Sequence, residues 1–153
     1  MWVPPEVRDP IVWQAPTRKQ IGIYGAVRLS DGQLMAWTSS LFNRETFEEF
    51  LEMLLPYRAR KRKMCLILDN SRYHHAHSLR GCLRKNEKLL RLEFLPPYSP
   101  QLRPMERVWK LTRRICTHNR YFPSLEELVL VIERQFNIWA TPNETLRRLC
   151  AIN

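Results

Sequence analysis

The chain has 153 residues, 44% of them apolar, and carries 25 Lys and Arg against 15 Asp and Glu for a formal charge of +10. That is one domain's worth of chain, and an apolar share this large, with five Trp and six Phe, excludes a disordered tail. No apolar run approaches the roughly 20 residues of a membrane helix, so no membrane partner is expected. The Met-Trp-Val-Pro-Pro-Glu start resembles neither a secretory nor a transit leader. A cytoplasmic, nucleoid-associated protein is the expectation. Cys65, Cys82, Cys116 and Cys150 form no CxxC pair, which points to reduced, buried thiols rather than a disulfide framework or a zinc site.

The charge is not spread evenly. Residues 1–55 carry 5 basic and 7 acidic side chains, residues 56–120 carry 17 and 4, and residues 121–153 carry 3 and 4. A positive surplus confined to the middle of the chain suits a face that neutralises phosphates and releases counterions. A merely basic surface is the competing reading.

No repeat or Gly/Ser linker divides the chain, so one domain is expected: an extended lead-in over residues 1–18, a core over 19–140 and a C-terminal tail over 141–153. Pro4, Pro5, Pro10 and Pro16 account for the lead-in. Ile21, Ile23, Tyr24 and Val27, then Ser30-Asp31-Gly32, then residues 34–37 read as a β-hairpin. Asn43 is a helix N-cap ahead of Phe47, Phe50, Leu51 and Leu54, spaced by three and four, and Pro56 lies beyond the end. After the basic connector Arg58, Arg60, Lys61, Arg62, Lys63 comes Met64-Cys65-Leu66-Ile67-Leu68, a continuous apolar run of the sort buried on both faces inside a mixed sheet.

Leu79, Leu83, Leu89 and Leu90 predict a helix, and residues 92–95 a strand. Residues 96–100, Pro-Pro-Tyr-Ser-Pro, make a stiff loop. Pro104 opens a helix to about His118, with Met105, Val108, Trp109, Ile115 and Cys116 available to the core. Ser124 with Glu127 marks a capping box for a last helix through Leu125, Leu128, Ile132, Phe136 and Trp139. This order of strands and helices describes a layered α/β or α+β domain.

Two carboxylates stand out. Asp69 follows the most apolar strand, where open sheets place ligands and catalytic groups, although an Asp there can equally cap the next helix. Glu106 is the third residue of its helix, where it can serve the helix dipole. Arg103, Arg107, Lys110 and Arg114 recur by steps of 4, 3 and 4 beside it. A carboxylate next to a cationic stripe suits metal-assisted phosphodiester chemistry, and a solvated charged face is the alternative. His74, His75 and His77 lack the recurring spacing of a zinc site, and His74 and His75 are more readily contacts to a DNA backbone or helix caps.

Asp69-Asn70-Ser71 with Tyr73-His74-His75, and the long block Phe94-Leu95-Pro96-Pro97-Tyr98-Ser99-Pro100-Gln101-Leu102-Arg103-Pro104-Met105-Glu106-Arg107-Val108-Trp109, resemble the second and third acidic blocks of bacterial DDE transposases of the insertion sequence 630 and mariner kind. The resemblance extends to the hairpin around Gly25-Ala26-Val27 and to the helix from Asn43 to Phe50.

It implies a ribonuclease H-like mixed sheet with flanking helices and metal-dependent cutting and joining of double-stranded DNA at transposon ends. Asp69 and Glu106 would be the second and third acids, holding two Mg²⁺ (or Mn²⁺) ions. The first acid of that family lies on a strand for which residues 1–153 offer no counterpart, and no helix-turn-helix domain precedes it. The expectation is therefore a catalytic core lacking its first central strand, begun at an internal Met and inactive alone. It would form homo-oligomers or associate with a full-length transposase. A non-catalytic DNA-binding or subunit-interaction fragment is the alternative. Arg103 stands where the family commonly has Asn, which removes a helix cap worth about 1 kcal/mol unless Ser99 or a backbone turn replaces it.

Overall fold

A computed structural model describes residues 20–69, 79–96 and 103–151. β1 (Gly22–Val27) and β2 (Leu34–Ser39) form the expected hairpin, antiparallel with Gly22 opposite Ser39 and Val27 opposite Leu34. Its turn needs a left-handed residue, and Gly32 supplies it at φ 73°. Arg28 grips the turn by donating from Nε to Asp31 Oδ1 (2.8 Å) and from Nη2 to Oδ2, and the Gln33 backbone N–H also donates to Oδ1.

These bonds hold the Asp31 carboxyl below its ordinary range. A carboxylate whose pKa falls on folding adds stability that is present above its unfolded value and lost as pH drops through the folded one. Asp31→Asn should therefore flatten the acid limb of the stability profile. The pair lies at the surface, so acid unfolding curves should differ by no more than about 1 kcal/mol.

α1 (Arg44–Leu54) starts at Asn43, whose side chain accepts from the Thr46 N–H at 2.9 Å while Thr46 Oγ1 accepts from the Asn43 N–H at 3.2 Å. This reciprocal cap and the 3–4 spacing of Phe47, Phe50, Leu51 and Leu54 explain the helix. A 3₁₀ turn over Leu55–Tyr57 ends it at Pro56. β3 (Met64–Leu68) pairs in parallel with β4 (Leu90–Phe94), and α2 (Leu79–Lys85) precedes β4. The predicted helix across Leu89 and Leu90 is thus too long: Asn86 turns the chain, its carbonyl accepting from Leu89 and Leu90, and β4 begins at Leu90 rather than at residue 92.

α3 (Pro104–Thr112) runs into a π turn over Arg113–Thr117, closed by the His118 N–H on the Arg113 carbonyl at 2.9 Å. α4 (Leu125–Trp139) is capped by Ser124, which accepts from the Glu127 N–H at 3.2 Å. α5 (Glu144–Leu149) occupies the segment expected to be a tail. Asn143 caps it, accepting from the Leu146 N–H, and Leu146 and Cys150 are fully buried. Pro142 and three charged residues masked a six-residue helix too short to show periodicity.

The hairpin is the middle layer. Alternation sends Ile23, Val27, Leu34 and Ala36 to one face, against α3, α4 and α5, and Tyr24, Ala26, Met35 and Trp37 to the other, against α1 and α2. On the first face Val108, Ile132, Phe136, Trp139 and Leu146 close the core, with Trp109 and Phe136 ring centroids 6.0 Å apart. On the second, Tyr24 stacks on Phe50 at 5.2 Å and meets Phe42 edge-on at 4.7 Å.

β3 departs from expectation. Only Met64, Leu66 and Leu68 join the second core, while Cys65 and Ile67 are exposed, and no β3 residue joins the core on the hairpin's first face. Cys65 is therefore not a buried thiol, Cys82 is only half buried, and Cys116 and Cys150 are buried as expected. Ile115 also faces solvent, carried outward by the π turn. Among the described residues no helix is long and apolar enough to cross a membrane.

Candidate active site

The ladder between β3 and β4 ends where the Leu95 N–H donates to the Leu68 carbonyl at 2.9 Å, and Asp69, half buried, is the next residue. Pairing with β4 thus fixes the strand end that presents the carboxylate. Glu106 is positioned from the other core. α3 lies so close to β1 that a Cβ at Gly25 would sit 2.7 Å from the Trp109 ring and 2.8 Å from the Met105 methyl. Only glycine permits this approach, and it seats the first turn of α3 against the middle of the sheet.

Leu68, Pro104 and Met105 line one cavity of about 350 Å³. Asp69 directly follows Leu68 and Glu106 directly follows Met105, so each acid stands one residue beyond the lining of the same cavity.

Arg103 occupies the N-cap position of α3 without a side-chain cap, and its Nη1 donates to Glu106 Oε1 at 3.0 Å. The backbone supplies the turn, with the Glu106 N–H on the Arg103 carbonyl at 3.2 Å. Arg103 thereby neutralises the carboxylate it was expected to accompany. Arg107 is engaged too: Nη1 donates to the carbonyls of Leu149 (3.0 Å) and Ala151 (2.9 Å), tying the end of α5 to α3. Lys110 and Arg114 point to solvent. The four cations of the stripe therefore divide by task. Asn70, Ser71, His74, His75 and His77, with Ser99, lie outside the described residues.

The same cavity is also lined by Arg58, Arg62 and Lys63. These were legible only as a basic connector, and the signal was the density of the charge run rather than any spacing.

Residues 1–129 match the family profile of the DDE superfamily endonucleases. The chain belongs to that family. The endonuclease fold is shared with the Mos1 transposase catalytic domain, solved with Raltegravir and Mg: the TM-score is 0.60 at 19% identity, over 84% of this chain and 67% of that one. The fold is accordingly ribonuclease H-like. An uncharacterized protein, y4pE/y4sA of Sinorhizobium fredii, is 38% identical over 64 residues, 42% of this chain. The match spans 44% of that relative's length.

DDE transposases use divalent metal. The oxygen donors of Asp69 and Glu106 suit a hard cation in kind. In number they fall short, since among the described residues no three Asp, Glu, His or Cys side chains gather to hold an ion.

Proposed function

We propose that this chain is the catalytic-core portion of a DDE transposase, acting on double-stranded DNA at transposon ends. The observation that supports the reading is that Leu68 before Asp69 and Met105 before Glu106 line the same cavity, in a member of the endonuclease family. Asp69 and Glu106 would hold Mg²⁺ or Mn²⁺, and the ions, when bound, supply Lewis acidity for in-line attack at phosphorus. Arg103 restrains Glu106 until an ion competes for its carboxylate. Lys110 and Arg114 lie one and two turns further along α3 and its π extension, where they can neutralise flanking phosphates. His74 and His75 are proposed as further backbone contacts.

Mn²⁺ titration followed by paramagnetic broadening tests the metal reading. Broadening should centre on Asp69 and Glu106 and disappear in Asp69→Asn. Broadening that survives Asp69→Asn together with Glu106→Gln would place the ion elsewhere.

Two observations favour a second reading, a DNA-binding or subunit-interaction fragment without cleavage: Glu106 is ion-paired, and no group of three His, Cys, Asp or Glu side chains gathers among the described residues. Both readings require phosphate contacts. Lys110→Ala and Arg114→Ala should each make the log–log salt dependence of duplex binding shallower by about 0.9. Arg107→Ala should instead lower stability by about 1–2 kcal/mol, because a charged donor leaves two carbonyls. A full drop in slope with unchanged stability on removing Arg107 would return it to the DNA face.

A further inference from the structure

The run Arg58-Ala59-Arg60-Lys61-Arg62-Lys63 is a built turn rather than a slack connector. The Arg62 N–H donates to the Ala59 carbonyl at 3.0 Å, which closes a β-turn with Arg60 and Lys61 at its two central positions. Arg58 braces the turn, its Nη1 donating to the Arg62 carbonyl at 3.0 Å. Lys61 holds a left-handed backbone at φ 60°, where a residue with a side chain is strained. Glycine or asparagine would build the same turn at lower cost, so turn geometry does not account for a lysine there. Strain of this kind persists where the side chain has a task of its own.

The surroundings show what that task is. Every residue from Ala59 to Lys63 is exposed. The Met64 N–H donates to the Leu89 carbonyl at 2.8 Å, so Lys88, also exposed, flanks Lys63 where the β3–β4 ladder begins. Among the described residues, Arg60, Lys61, Arg62, Lys63 and Lys88 form no ion pair, and neither does Glu87 beside them. Cations gathered on two elements without carboxylate partners repel one another until a polyanion neutralises them and sheds its counterions. The turn carries no large apolar side chain to enter a bilayer, which separates it from a lipid-binding segment.

β3 sets where this patch lies. Lys63 precedes the strand and Asp69 follows it, so at about 3.3 Å per residue the two stand roughly 20 Å apart. We infer that the turn at residues 58–63, together with Lys88, is a second phosphate-binding surface for duplex DNA, at the opposite end of β3 from Asp69. Arg60, Lys61, Arg62, Lys63 and Lys88 would meet phosphate oxygens without reading sequence, and Arg58 positions the turn. This rests on the DNA reading of the proposed function, but on neither acid and on no metal.

The test follows binding of the 153-residue chain to a duplex of about 20 base pairs from roughly 50 to roughly 200 mM salt. Lys61→Gly is the decisive variant, because it removes the amine and suits the left-handed position better than lysine does. Its melting temperature should equal or exceed the parent's, while the log–log salt slope becomes shallower by about 0.9. Lys61→Arg keeps the charge and should keep the slope. Arg60→Ala and Lys88→Ala should each remove about 0.9 more, the latter from a separate element, and scrambling the duplex sequence should change none of these values. The inference is overturned if Lys61→Gly and Lys88→Ala leave the slope unchanged while Lys110→Ala and Arg114→Ala lower it, in which case the proposed DNA contacts on α3 stand alone. A slope lowered by the turn variants and not by Lys110→Ala or Arg114→Ala would uphold the inference and remove the α3 contacts instead. Variants that lose binding to phosphatidylserine vesicles and not to the duplex would overturn it in favour of a lipid surface.

Discussion

Gly32→Ala is expected to lower stability by about 3 kcal/mol or more, one of the largest losses available to a single methyl group in this chain. Two costs combine. The residue sits at φ 73°, a left-handed conformation that costs an L side chain about 1–2 kcal/mol. The added Cβ would also lie 2.1 Å from the Asn143 carbonyl oxygen and 2.4 Å from the Arg147 nitrogen, and both are backbone atoms that no rotamer change can move. The turn would have to lift from α5, breaking the Asn143 N–H bond to the Asp31 carbonyl (2.8 Å) and the Gln33 amide bond to the Ala140 carbonyl (2.6 Å). For a domain near 150 residues this corresponds to a drop in Tm on the order of 10 °C. Gly81→Ala is the control: nothing lies within 4 Å of its would-be Cβ and it is inside α2, so it should stabilise by roughly 0.5–1 kcal/mol. A Gly32 variant that melts within 2 °C of the parent would show that the turn does not dock on α5.

That docking also shows what the sequence could and could not reveal. The hairpin, α1, β3, α3 and α4 were legible because each has a local signature: a Gly turn between β-rich runs, an Asn cap, an unbroken apolar run, Pro at the first helical position, Ser three residues before Glu. The end of α2 was not, because Leu89 and Leu90 continue a helical spacing while Asn86 ends the helix through its carbonyl, which spacing does not report. α5 was invisible for a similar reason. It is too short for its own periodicity and is held by long-range contacts, Arg107 on its last carbonyls and Leu146 in a core built from α3 and α4.

At the site, the positions of Asp69 and Glu106 at a strand end and a helix start followed from local patterns. The pairing of Arg103 with Glu106 and the diversion of Arg107 to α5 did not, because a stripe on a helix fixes direction and not partner. Exposure of β3's outer face was missed because an apolar run reports what a strand could bury, not whether a neighbour arrives to cover it.

Plasmid cleavage is the measurement with the largest span. Supercoiled DNA carrying transposon ends should stay intact with the 153-residue chain in Mg²⁺. Among the described residues no three Asp, Glu, His or Cys side chains gather to hold an ion, Glu106 is paired with Arg103, and two acids are too few for the two ions that in-line phosphoryl displacement requires. A third carboxylate should change the outcome from none to measurable nicking, if it arrives on a strand placed between β1 and β3. Fusing a β-branched segment bearing one central Asp upstream of Met1 supplies such a strand. In that fusion Asp69→Ala should reduce cleavage on the order of 10³-fold, because ligands that act as a unit are lost as a unit. Arg103→Ala should do less, since it releases Glu106 rather than removing it, and should lower the Mg²⁺ concentration needed for half-maximal cleavage. Vigorous Mg²⁺-dependent cutting by the unfused chain, undiminished in Asp69→Ala, would defeat both the site and the need for a third acid. Binding without cleavage in the fusion, with the salt dependence carried by Lys110 and Arg114, would leave the chain as a DNA-holding module built on an endonuclease fold.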